Sequence, residues 1–326
     1  MSKPTNAARN PRAEAAALTG RNVRVLEPSP PAVTVEPWFA DDPTALEGDL
    51  DAVTPTSAGA ATWDDLVNAD AALADYARTH WLGNHKPLAP VPDDYQSSRD
   101  DFHRLAYGVI SNARKAATGK FGLRYTHGGF GTPFFGADQQ VRVEGTELVV
   151  QRAGAVSRRP ITTLAEAASF AGTVADETQA EHDTIALGDL DRPLDVRADV
   201  GAFLGDWFGF ATSVLEEARL LGAAPDDDVS RVQIWPGHFD PAMEIGSLEA
   251  GRRATYGASP GDATHPEPYF YVAAWGDIDR ANSYWNDKNF NGGALSYAEL
   301  QSTSDPKATA LDFFGRGYNL LHGVTD

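Results

Sequence analysis

Residues 61–326 of this chain read as one composite α+β domain, a largely antiparallel β-sheet with packed helices, preceded by a flexible N-terminal arm at residues 1–60. Three observations predict this. Apolar residues recur at helical spacing in some segments and alternate in others, without the regular strand–helix rhythm of a parallel sheet. One pair of alternating segments is joined by a two-residue turn, a connection available to antiparallel strands alone. Residues 1–60 are rich in Ala, Pro, Thr and acid, as in Glu27-Pro28-Ser29-Pro30-Pro31, so they carry too little apolar surface to offset the entropy of ordering.

The elements follow in order. Thr62-Trp63-Asp64-Asp65 predicts a helix start, with Trp63, Leu66, Val67, Leu73 and Ala77 along one face. A second helix carries Phe102, Leu105, Ala106, Val109, Ile110 and Ala113, with Ser98 as its expected cap and Gly119 as its stop. The period then changes. With Gly145-Thr146 at the centre of a type II′ turn, Val143 faces Leu148 and Val141 faces Val150, all on one side.

Thr163-Leu164-Ala165-Glu166 is a capping box opening a helix to about residue 176. The segment 199–221 is the most amphipathic in the chain. Val200, Phe203, Leu204, Trp207, Phe208, Ala211, Val214, Leu215 and Ala218 predict a core helix lying on a sheet. Strands are expected at Arg231–Trp235, Arg253–Gly257 and Tyr269–Trp275, the last in a central position with its aromatics in the core. Asp305-Pro306 opens a final helix.

Composition removes several function classes. The formal charge is −19, and no basic run is longer than Arg158-Arg159 or Arg252-Arg253, which argues against nucleic acid as a partner. No stretch reaches the roughly 18–20 apolar residues of a membrane span. Arg9, Arg12 and Glu14 interrupt the alanines of residues 1–20, unlike a secretory signal. The absence of cysteine excludes disulfides, thiolate catalysis and zinc–thiolate sites, and the expected location is the cytoplasm. Oligomeric state is not legible.

Two motifs mimic known chemistry. His127-Gly128-Gly129-Phe130-Gly131 resembles an esterase oxyanion loop, and Gly257-Ala258-Ser259-Pro260-Gly261 matches G-x-S-x-G, with Asp277 or Asp287 and then His322 in hydrolase order. A nucleophile elbow must run from strand into helix, however, and Pro260, Gly261, Pro266 and Pro268 forbid that helix. The glycine run also lacks the Lys-Ser/Thr of a phosphate loop, so no nucleotide motif is present. It reads as a tight turn, or as backbone that lines a ligand through His127, Gly128 and Gly129. Asp226-Asp227-Asp228 reads as a solvated turn.

The candidate site is His238-Phe239-Asp240. If extended, the segment projects His238 and Asp240 to one side, where an imidazole and a carboxylate make an acid–base pair or two ligands of a divalent metal, with Glu244 as a third catalytic candidate. Pro236-Gly237 and Pro241 bracket the segment and predict that it departs from the sheet. The loop carrying Asp262, His265 and Glu267 supplies further binding candidates, as does Tyr271. The turn-dense segment from Tyr284 to Gly293 could close over a pocket. The leading expectation is a small-molecule-binding protein. An enzyme using His238, Asp240 and Glu244 is the alternative, and a structural or interaction role is the third.

Gly122-Leu123-Arg124 with Gly128-Gly129-Phe130-Gly131-Thr132-Pro133, the hairpin, His238-Phe239-Asp240, and Gly257-Ala258-Ser259-Pro260-Gly261-Asp262 through Glu267-Pro268-Tyr269-Phe270-Tyr271 together resemble a family of conserved bacterial proteins of unknown function. The resemblance covers roughly residues 100–276. It implies one folded unit there and no particular activity.

Overall fold

The structure is a computed structural model. It describes residues 88–126, 129–133, 135, 139–152, 155–178, 184–222 and 224–324, together with Glu27–Pro28, which pairs antiparallel with Leu50–Asp51. The rest of the arm and the expected helix after Thr62 lie outside the described residues.

Helix α1 (Tyr95–Leu105) continues through a π-helical segment, Ala106–Ser111, into α2 (Asn112–Thr118), which Gly119 ends in the left-handed conformation. Ser98 is not the cap. The helix begins a turn earlier, and the buried Ser98 hydroxyl instead accepts the Arg197 amide at 3.2 Å.

The first sheet is an antiparallel meander of β1 (Arg124–Thr126), β2 (Gly129–Gly131), β3 (Gln139–Glu144), β4 (Glu147–Arg152) and β5 (Ala155–Pro160), hydrogen-bonded in that order. Its β3–β4 hairpin has the predicted register, Val143 opposite Leu148 and Val141 opposite Val150, with positive φ at Gly145 and not at Thr146. The glycine-rich run proves to be strand β2. A Cβ at Gly131 would come within 2.7 Å of the Arg142 Cα, so the glycines set the close approach of β2 to β3.

Helix α3 (Leu164–Ala171) starts on Thr163, whose hydroxyl accepts the Glu166 amide. The Glu166 carboxylate bonds Thr162 rather than closing the box, and Gly172 ends the helix earlier than predicted. Helix α4 (Ala198–Ala218) buries all nine predicted apolar residues. It serves both sheets: Phe208 meets Phe130 of β2, and Trp207 meets Phe270 of the second sheet.

The second sheet has six strands, all antiparallel: β6 (Asp228–Val229), β7 (Gln233–Trp235), β8 (Asp240–Gly246), β9 (Ala254–Ser259), β10 (Tyr269–Ala274) and β11 (Gly292–Ser296). The order is β11-β10-β9-β8-β6, with β7 beside the start of β8. Mutual bonds between Leu123 and Ile234, at 2.7 and 2.8 Å, tie the two sheets' edges together. After α5 (Tyr297–Gln301) the chain closes with α6 (Pro306–Leu321), capped by Asp305 as expected.

Alternation gives the second sheet two unlike faces. Met243, Ile245, Tyr256, Ala258, Phe270 and Val272 lie on one, buried against α4 and α6. Polar residues occupy the other. The triplet at Asp226 is a solvated turn only in part: Asp226 is exposed in a turn and bonds Arg252, Asp228 lies 3.5 Å from Arg253, but the Asp227 side chain is fully buried between the Tyr318 hydroxyl at 2.7 Å and His322 Nε2 at 3.0 Å. Among the described residues no helix is long and apolar enough to cross a membrane.

Candidate functional site

The polar face of the second sheet floors a cleft of about 860 Å³. Trp235 of β7, Asp240 and Glu244 of β8, Thr255 and Ser259 of β9, and Tyr269 and Tyr271 of β10 make the floor. Helix α1 forms one wall through Gln96, Arg99, Asp100 and His103, which recur at i, i+3, i+4, i+7 and so share one helix face. Gly237 and His238, residues 261–263 and Phe290 complete the rim.

His238 and Asp240 both line the cleft, but not through an extended segment. Residues 236–239 form a turn between β7 and β8, and Asp240 already pairs with Trp235 in the ladder. His238 and Phe239 thus leave the sheet, as the bracketing prolines predict, whereas Asp240 and Pro241 stay in β8. Pro241 is tolerated because the β8–β9 ladder begins only at Ala242, so its missing N–H breaks no bond there. Phe239 takes φ 59°, a costly conformation for a bulky residue. Its ring repays that cost by packing on Phe130 and Phe208, with centroids 4.8 and 5.1 Å away, and stacking on His103 at 5.2 Å. This turns His238 outward at the cleft mouth while Asp240 stays buried at 3% exposure.

Helix α1 is fastened to this turn and to the loop after β9. The ring of His103 donates from Nε2 to the Pro236 carbonyl at 2.8 Å. Burial pushes the His103 pKa down to about 4, against the bond to Pro236, so the ring is neutral near pH 7. The Tyr95 hydroxyl donates to the Pro260 carbonyl at 2.7 Å, and Arg99 reaches the Pro266 carbonyl at 3.3 Å and Asp100 at 2.6 Å.

Asp240 and Glu244 on the floor and Asp262 on the rim each have a strong donor. The Tyr271 hydroxyl bonds Asp240 across β9, and its ring lies over Gly257, where an added Cβ would come within 2.5 Å of ring atom Cε1. Burial, then the Asp240 charge, raises the Tyr271 phenol well above its ordinary range, so it remains a donor. Tyr269 donates to Asp262 at 2.8 Å. Burial pulls Asp262 upward, but bonds from Thr264, the His265 amide and Tyr269 outweigh it and hold the carboxyl below its ordinary value. Glu244 forms a buried ion pair with Arg253, whose Nε lies 2.9 Å away.

No family model matches this chain, and no curated protein or solved structure does.

The cleft brings together six of the ten candidate residues in sequence, counting His238, Asp240, Glu244, Asp262 and Tyr271 as lining and His265 as its support. His265 bonds Asp287 at 2.8 Å and packs on Tyr269, pinning the Asn-rich segment whose Phe290 forms part of the rim. Glu267 is exposed and outside the lining. Gly129 is buried in β2 of the other sheet, so it does not form an opposing wall, and His127 and Gly128 lie outside the described residues. Among the described residues no group of three or more His, Asp or Glu side chains is placed to hold a metal ion.

The aromatic strand divides between its faces instead of lying wholly in the core: Phe270 is buried under α4 and α6, Tyr269 and Tyr271 face the cleft, and Trp275 is 52% exposed. Ser259 ends β9, accepts the Gly261 amide at 3.0 Å and is followed by a loop, so the elbow geometry is absent. The glycine that completes the serine motif on its N-terminal side, Gly257, makes room for the Tyr271 ring. Sequence reasoning missed the α1 wall, although its polar residues recur at helical spacing opposite Phe102 and Leu105.

Proposed function

We propose that this protein binds a small organic molecule in the cleft over the polar face of the second sheet. The supporting observation is the company that Asp240 keeps: a buried carboxylate at the base of an 860 Å³ cavity, beside Tyr271, Tyr269 and Trp235. A concave site with aromatic surface and a few convergent polar groups is the usual form of a small-molecule pocket. We read Glu244 as part of the floor, held by Arg253, and His238 as a rim residue that contacts the ligand. The cysteine-free sequence agrees with a cytoplasmic setting for this role.

Native mass spectrometry of freshly purified protein tests the reading directly. A retained small molecule in the wild type, absent from Asp240→Asn at unchanged fold, is the expected result. A ligand-free wild type that also shows no thermal stabilisation across a metabolite library would defeat it, since a ligand at 100 times its Kd should stabilise by about 2.7 kcal/mol.

A further inference from the structure

We infer that the cleft selects an organic cation, an amine or guanidine carried on an apolar or aromatic body; this rests on the small-molecule reading above. Among the described residues four carboxylates line the cleft, Asp100, Asp240, Glu244 and Asp262, with one guanidinium, that of Arg99, and the His238 ring at the mouth. Arg99 is turned onto Asp100, and Arg253 behind the floor is turned onto Glu244. Asp240 and Asp262 take phenolic hydroxyls from Tyr271 and Tyr269, and His265 Nδ1 lies 3.8 Å from Asp262. Both phenols are raised by burial and stay neutral. The lining therefore carries net negative charge inside a partly desolvated space, where its attraction for a ligand cation is screened less than in water.

The second observation is aromatic. Trp235, Tyr269, Tyr271 and Phe290 line the same cavity as those carboxylates, and Tyr271 and Phe290 meet edge to face at 5.9 Å. Ring faces beside carboxylates attract a cation and also cover its apolar body. The chain's −19 formal charge adds a long-range field of the same sign, which raises the local concentration of cations and repels anions.

Calorimetric titration of the full chain with benzylamine, benzyl alcohol and benzoate, three probes of like size and different charge, decides the matter. Benzylamine should bind about tenfold or more tighter than benzyl alcohol, with benzoate weakest. Its affinity should fall with added salt, and should fall about tenfold in either Asp240→Asn or Asp262→Asn. Using two variants guards against one that fails to fold. If benzyl alcohol or benzoate binds as tightly as benzylamine, the cation assignment is wrong while a small-molecule cleft survives. If none of the three binds in the millimolar range, the assignment is overturned, and a ligand-free native mass spectrum together with no thermal stabilisation across the metabolite library would remove the parent reading as well.

Discussion

Gly257→Ala probes the floor of the cleft with one methyl group. Gly257 has an ordinary φ, so alanine suits its backbone and should by itself stabilise by roughly 0.4–1 kcal/mol through the unfolded chain. The new Cβ, however, would stand within 2.5 Å of the Tyr271 ring, well inside contact distance. The ring must lift from β9, which strains a packed site by roughly 1–3 kcal/mol. Lifting it withdraws the hydroxyl from Asp240, and a hydrogen bond to a charged group contributes about 1.5–3 kcal/mol. The net expectation is a loss of about 2–5 kcal/mol, measured by urea denaturation. A double-mutant cycle isolates the cause: in a Tyr271→Ala background the same Gly257→Ala change should cost nothing or stabilise slightly. Equal costs in both backgrounds would show that the ring does not depend on the bare strand at Gly257.

Four further outcomes can be checked. Trp207→Ala should cost roughly 3–5 kcal/mol, because the indole is 2% exposed and packs on Phe210, Phe270 and Tyr297; a loss under about 1 kcal/mol in denaturation would place the wrong face of α4 inward. His103 should make stability depend on acidity. Its folded pKa of about 4 lies below the ordinary 6.5, so its contribution is complete above pH 6.5 and declines as pH falls toward 4, by roughly 3 kcal/mol in total; His103→Gln should flatten that part of the profile, and an unchanged slope would contradict a neutral, partly buried ring. His238→Asn should alter stability by under about 0.5 kcal/mol, since His238 is exposed at the cleft mouth, while weakening any retained ligand; a stability loss without a binding change would make His238 structural. Ser259 should not react with a fluorophosphonate probe, and labelling abolished by Ser259→Ala would reverse the reading of that motif.

Much of the fold was legible wherever the signal was local. The β3–β4 hairpin, the apolar face of α4 and the starts of α3 and α6 depend on neighbours within a turn or two, and they stand where spacing put them. Errors arose where distant partners decide. Ser98 looked like a cap because its partner, the Arg197 amide, is 99 residues away. Asp227 looked solvated because Tyr318 and His322 arrive from α6, 91 and 95 residues later. Pro241 looked like a strand breaker because the sequence does not tell which edge of β8 lacks a partner at that residue. The site divides likewise. The segment from His238 to Glu244 and the loop carrying Phe290 were each visible as one stretch of chain, whereas the α1 wall reaches the cleft through tertiary packing.

The two faces of the second sheet answer to different demands. A sheet packed on one side puts its apolar side chains there, as the face under α4 and α6 does. The cleft face carries polar groups that are buried, Asp240, Glu244 and Ser259, and a buried ion pair such as Glu244–Arg253 is often replaceable by well-packed hydrophobes at no loss. These groups are accompanied by devices that cost stability: a bare strand at Gly257 for the Tyr271 ring, and a left-handed Phe239 held by three aromatic neighbours. Local rules broken together around one cavity, each with a compensating contact, are the pattern that the proposed binding role would leave. If that is the origin of the polar face, replacing the Glu244–Arg253 pair together by Met and Leu should leave stability within about 1 kcal/mol or raise it. The same double substitution should weaken benzylamine binding by changing the floor beneath Asp240. A double variant that unfolds while ligand-binding substitutions at the rim have no effect would assign the polar face to folding instead.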